Sequence, residues 1–145
     1  MSTEMIEASA MPSMDLSREL SENATSIYCS VSGGDRKSKA LVYNAANNPE
    51  HKVGDYINKT INVKDVLVEE IELFNEETGE VECAPRVVLI DADGKAYQAV
   101  SVGMFKAIKI AIQVFGAPTW DEPLPMLIKQ IAVKNGSMLT AEVKL

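Results

Sequence analysis

Three observations in this 145-residue chain predict a mainly β domain, one small barrel with a single helix laid against it. Apolar residues alternate with polar ones in several segments, the period of strands that bury one face. One stretch, Met104 to Phe115, changes to a helical period. Glycine-containing turns join neighbouring segments at hairpin spacing. With 46% hydrophobic residues, a chain of this length fills one core rather than two.

Residues 1 to 24 carry Pro12, scattered serines, five acids and one arginine. That composition is expected of a mobile acidic leader, in which Ser13 to Asn23 is the one candidate helix, and residues 25 to 145 then form the domain. After Ile27 to Val31, Ser32-Gly33-Gly34 breaks the chain, and Arg36, Lys37 and Lys39 lead into a strand expected over Ala40 to Ala45. Asn44 to Asp55, rich in Asn with Pro49 and Gly54, reads as a loop.

Lys59 to Phe74 reads as a long bent strand. Its apolar positions Ile61 and Val63 change parity at Val66 and Val68, the mark of a β-bulge at Asp65-Val66. Asn75 to Gly79 turns it, and Glu80 to Asp91 returns antiparallel, with Pro85 admissible only at an edge or bulge. Asp93-Gly94 supplies a tight turn into a return strand from Tyr97 to Val100. In the helix, Phe105, Ile108, Ala111, Ile112 and Phe115 share one face, so both phenylalanines are expected in the core, and Gly116 and Pro118 end it. A loop from Gly116 to Pro125 carries Trp120, and Met126 to Lys134 with Ser137 to Leu145 close the chain as a hairpin over Asn135-Gly136. Meander, helix, closing hairpin is the order of an OB-like five-stranded barrel with one α-helix between strands 3 and 4.

The residue types exclude most catalysis. The one histidine, His51, stands beside Pro49 and Glu50 and is expected to be an exposed loop residue, which leaves no His-Cys metal cluster and no Ser-His-Asp set. Asp91-x-Asp93-Gly94 has its glycine at position 4 and Val102 at position 12, so it is a turn and not an EF-hand. Gly33-Gly34 lacks the following Lys-Ser/Thr of a phosphate loop. No metal, cofactor or enzymatic activity is expected. Cys29 and Cys83, in a chain with no export signal or membrane span, are expected to stay thiols in a soluble intracellular protein.

Charge is distributed unevenly within the net −7: residues 1–30 carry −4, 31–60 carry +2, 61–100 carry −7 and 101–145 carry +2. Local cations decide whether a polyanion is held, so an acidic protein can still hold one if its lysines line a groove; otherwise they are solvated faces.

Tyr43-Asn44-Ala45, the strand Val87 to Ile90, the following Asp91-Ala92-Asp93-Gly94-Lys95-Ala96-Tyr97-Gln98-Ala99-Val100-Ser101 and the Ala- and Ile-rich helix resemble the single-stranded DNA-binding proteins of small protein-primed tailed bacteriophages, over about residues 38 to 145. The resemblance implies a non-enzymatic, sequence-independent protein that protects displaced strands during replication in the host cytoplasm, with replication proteins as further partners and no membrane. It implies aromatic platforms for stacked bases, with Tyr43, Tyr56, Tyr97 and Trp120 as candidates and Phe74 beside them, and phosphate contacts from Arg36, Lys37, Lys39, Lys52, Lys59 and Arg86. Phe74 is better read as a core residue, Tyr43 equally as core or platform; Tyr97 and Trp120 are the favoured platforms. The rival reading is an acidic protein-interaction module or DNA mimic, in which Glu69, Glu70, Glu72, Glu76, Glu77, Glu80 and Glu82 face a basic partner.

Overall fold

The computed structural model describes residues 27–134 and 136–145; the leader 1–24 with its candidate helix Ser13–Asn23 lies outside them. In chain order the elements are β1 (Ile27–Cys29), α1 (Arg36–Asn47), β2 (His51–Lys52), a 3-10 turn (Val53–Tyr56), β3 (Thr60–Asn75), β4 (Glu80–Asp91), β5 (Ala96–Val100), α2 (Val102–Phe115), β6 (Leu124–Val133) and β7 (Gly136–Val143). The strands form one seven-stranded sheet in the order β2-β5-β4-β3-β6-β7, with β1 added on β3. The fold is thus mainly β, the sheet curled into a half-barrel with two helices, rather than the one expected, among the described residues.

β3 is the spine. It runs antiparallel to β4 from the Val63–Asp91 pair to Asn75–Glu80. Its other edge is divided: Thr60–Val63 take β6 and Leu67–Glu69 take β1. The register shifts between Val63 and Asp65, leaving Lys64 as the extra residue, one position before the expected bulge. The shift changes the parity of the alternation, so Ile61 and Val63 before it and Val66 after it all join the same core. Asp65 is buried there, and its Oδ1 accepts from the Ser30 and Thr119 hydroxyls, which removes the cost of an unpaired buried carboxylate. Pro85 lies opposite Glu70, beyond the last β4–β5 pair at Arg86–Val100, where its missing N–H breaks no ladder on that side.

Both faces of the sheet centre are covered. Inside the curl, Val66, Val87, Leu89, Tyr97 and Ala99 pack with Met104, Ile108 and Ala111 of α2 and with Leu124, Met126 and Ile128 of β6. On the outer face, Leu67, Val88, Ile90 and Ala96 are covered by Leu41, Val42, Ala45 and Ala46 of α1. This explains why β4 reads Val-Val-Leu-Ile without a polar alternate.

The expected strand over Ala40–Ala45 is therefore a helix, and the loop expected over Asn44–Asp55 holds the end of α1, β2 and the 3-10 turn. Asp35 caps the helix by accepting from the Ser38 N–H and hydroxyl, and apolar residues at 41, 42, 45 and 46 make the stripe that sits on the sheet. The Ser38 side-chain bond, then its backbone bond, hold the Asp35 carboxyl below the usual carboxylate range. The cap is accordingly in force above the ordinary carboxylate pKa and is lost as pH falls through the lowered value.

α2 begins two residues before the expected Met104, because Ser101 caps it by accepting from the Met104 N–H at 3.1 Å. Ser101→Ala is expected to lower stability by about 1 kcal/mol in urea unfolding. Gly103, in its first turn, lies so close to β7 that a Cβ would overlap the Leu139 carbonyl oxygen. The two phenylalanines expected in the core separate: Phe105 packs against it half-buried, whereas Phe115, in the last turn of α2, is 42% exposed. The closing hairpin forms with Met126 opposite Val143 and Val133 opposite Gly136. Cys29 and Cys83 are both free thiols.

Candidate functional site

Two residues of β2 create the most organised polar and aromatic surface of the described chain. β2 pairs in parallel with β5, setting His51 beside Tyr97 and Lys52 beside Gln98. The 3-10 turn then folds back and returns Tyr56 to the same place. The His51 ring stacks on Tyr97 with centroids 4.9 Å apart and planes 24° from parallel. Tyr56 stands edge-on to both, 5.0 Å from Tyr97 and 5.6 Å from His51, the favoured geometry for opposed ring quadrupoles. Its hydroxyl lies 3.2 Å from His51 Nδ1.

The third support is the Asp91 turn. One oxygen of Asp91 accepts from the Asp93 and Lys95 N–H groups, closing the turn, while the other accepts from the Tyr97 hydroxyl at 2.8 Å. Burial first, and the bonded Asp91 carboxylate next, push the Tyr97 phenol far above its ordinary value, so it stays a neutral donor. Gly94, at φ 84°, is the residue that can take the left-handed position this turn requires. Lys59 places its ammonium 5.8 Å from the Tyr56 centroid, and Lys52 is exposed on the edge strand next to His51. The result is a rim of three rings, oriented by Asp91 and flanked by Lys59. Flat π surfaces beside cations suit a ligand that is itself planar and anionic.

Not all the candidate residues meet. Tyr56, Tyr97 and Lys59 converge on this rim, although Tyr97, at 7% exposure, supports His51 from beneath rather than presenting its own face. Lys52, in register with Gln98, alternates to the opposite face of the edge strand. Arg36, Lys37, Lys39 and Tyr43 lie together on α1, on the other side of the sheet, all exposed and with Tyr43 at 66%. Neither Trp120 nor Arg86 is available in the way expected. Trp120 is 7% exposed within the inner core, its Nε1 donating to the Gly116 carbonyl and its backbone N–H to Lys64 at the bulge. A local acceptor for the indole N–H is what allows a ring among Thr119, Asp121 and Glu122 to go inside. Arg86 is buried, Nη1 2.7 Å from Glu69 and Nε donating to Gln98, so its guanidinium is held by neighbours across the sheet.

Two expectations reverse in the other direction. Phe74, better read as core, is 64% exposed near the tip of the β3–β4 hairpin. His51, expected as an exposed loop residue, is half-buried in a strand and central to the rim. Its partners come from residues 56 and 97, so only the β2–β5 pairing reveals it. Among the described residues, no group of three or more His, Cys, Asp or Glu side chains is placed to hold a metal ion. No helix among them is long and apolar enough to cross a membrane.

A family model described as phage single-stranded DNA-binding protein matches residues 21–143. No curated protein and no solved structure matches the chain.

Proposed function

The chain belongs to the phage single-stranded DNA-binding protein family, and from that premise we propose that it coats displaced strands during phage DNA replication in the host cytoplasm, independently of sequence. The role is binding of single-stranded DNA, with no chemistry performed on it. The observation that carries this reading is the His51–Tyr56–Tyr97 rim with Lys59 beside it. Stacking on a π face is sequence-tolerant because every base has one, and each stacked base contributes roughly 1 to 3 kcal/mol. The half-barrel, with α2 leading into the closing hairpin, is read as an OB-like barrel whose open side leaves this rim accessible.

The net charge of −7 does not oppose the proposal, because seven glutamates are concentrated between residues 69 and 82 and counterion release depends on cations at the contact. Tyr56→Ala is expected to weaken oligo(dT) binding by about 1 to 3 kcal/mol when measured below the unfolding transition of the variant, a transition that loss of the ring's packing also lowers. Lys59→Gln should lower affinity alike for all base compositions and flatten the plot of log affinity against log salt by roughly 0.7 for the lost phosphate contact. In this reading the DNA path does not include α1, so Lys37→Gln with Lys39→Gln should leave that slope unchanged. A full slope in the Lys59 variant, or loss of slope only in the α1 variant, would move the site to the opposite face.

A further inference from the structure

The β3–β4 hairpin runs out past the rest of the sheet. β5 pairs with β4 only as far as Arg86, and β1 with β3 only as far as Glu69. Residues 70–84 therefore form a two-stranded ribbon with no third strand among the described residues. Such a ribbon is marginal alone in water, and it would ordinarily keep its surface polar. Here one face carries Phe74 opposite Val81, 64% and 57% exposed. Because side chains alternate, that same face includes Glu70, Glu72, Cys83 and Pro85. At its base it opens into a groove of about 670 Å³ that includes Tyr28, Val68, Pro85, Val102 and Phe105. Apolar surface thus continues from groove to tip, set with carboxylates.

DNA is the wrong occupant for this face, since Glu70 and Glu72 would meet its phosphates. The complementary surface is cationic with an exposed aromatic ring, and the chain itself carries one. On α1, Arg36, Lys39 and Tyr43 fall at i, i+3 and i+7, on one side of the helix, and all three are exposed. We infer that the ribbon of one copy docks on α1 of a second copy, Phe74 and Val81 against Tyr43 and Glu70 and Glu72 against Arg36 and Lys39. The two patches differ, so the contact is heterologous and each copy keeps a free ribbon or a free α1, which builds an open row rather than a closed dimer. It leaves the His51–Tyr56–Tyr97 rim uncovered.

The test uses the full chain without DNA, so its outcome is independent of where the strand binds. In sedimentation velocity, wild type should show a weight-average coefficient that rises with protein concentration at about 0.1 M salt and returns to the monomer value near 1 M, where the screening length falls from about 10 to about 3 Å. Glu70→Lys with Glu72→Lys, and separately Arg36→Glu with Lys39→Glu, should each abolish the rise. Mixing these two variants should restore association, and that restoration separates a charge contact from misfolding. Phe74→Ala should shift the midpoint to higher concentration. A monomer at every concentration at low salt, association that survives either reversal, or failure of the mixed variants to associate while both remain folded would overturn the inference.

Discussion

Trp120→Ala is expected to lower the stability of the domain by about 3 to 5 kcal/mol, the range for removing a buried aromatic ring and leaving its cavity. The ring lies in the inner core with Val66, Leu124 and Met126, and its indole N–H is bonded to Gly116. Its backbone N–H also ties the α2–β6 loop to Lys64, the extra residue of the β3 bulge. Truncation therefore loosens the core where the spine strand bends. Urea unfolding followed by far-UV circular dichroism measures the loss. At temperatures where the variant is still folded, oligo(dT) affinity should remain near that of wild type, since the ring offers no face to a base. Affinity lost in a fully folded variant would return Trp120 to the binding surface.

Gly103→Ala is the second large effect, and its sign is decided by a competition. Replacing glycine by alanine in a helix ordinarily gains up to about 1 kcal/mol. At Gly103 the new methyl group would overlap the Leu139 carbonyl oxygen and press on the Met138 side chain. Met138 is flexible and can give way, but the Leu139 carbonyl belongs to β7, so relief requires α2 and the strand to separate. Overpacking of this kind costs about 1 to 3 kcal/mol, and the overlap with a backbone atom puts the cost toward the upper end, so it outweighs the helical gain and leaves a net loss of up to about 2 kcal/mol by the same unfolding measurement. The β7 and α2 amides should show the largest chemical-shift changes, because those are the elements pushed apart.

Local patterns account for what was legible in the sequence. The β3 and β4 strands, the bulge to within one residue, the Asp93-Gly94 turn, α2 and the closing hairpin all depend on period and turn residues inside a short window. α1 departs from the strand expected over Ala40–Ala45 because Val42 and Tyr43 favour strands by local propensity, whereas packing on the sheet decides for a helix. The Asp35 to Ser38 spacing, with the apolar set at 41, 42, 45 and 46, was the signal available. β2 had no comparable signal: two residues paired in parallel with a strand 46 positions away exist only through tertiary contact. The site shares that division. Its residue types were visible, but whether an aromatic lies at the rim, on α1 or inside the core is decided by which face each element turns to the sheet. That is why Tyr56 and Tyr97 meet, Tyr43 stands apart and Trp120 is enclosed.

The divided edge of β3 also has a consequence for biosynthesis. Thr60–Val63 have β6 as their neighbour, yet Leu124–Leu127 are made some 60 positions later. At roughly 5 to 20 residues per second, β3 emerges several seconds before that partner, in the order of 3 to 13 s. During this interval the hydrogen-bonding groups of Thr60–Val63 facing β6 have no native partner, and Ile61 and Val63, both fully enclosed in the finished domain, lack their β6 cover. A nascent chain stalled after α2 should consequently be more susceptible to protease in β3 and more prone to associate through that edge than one released after β7.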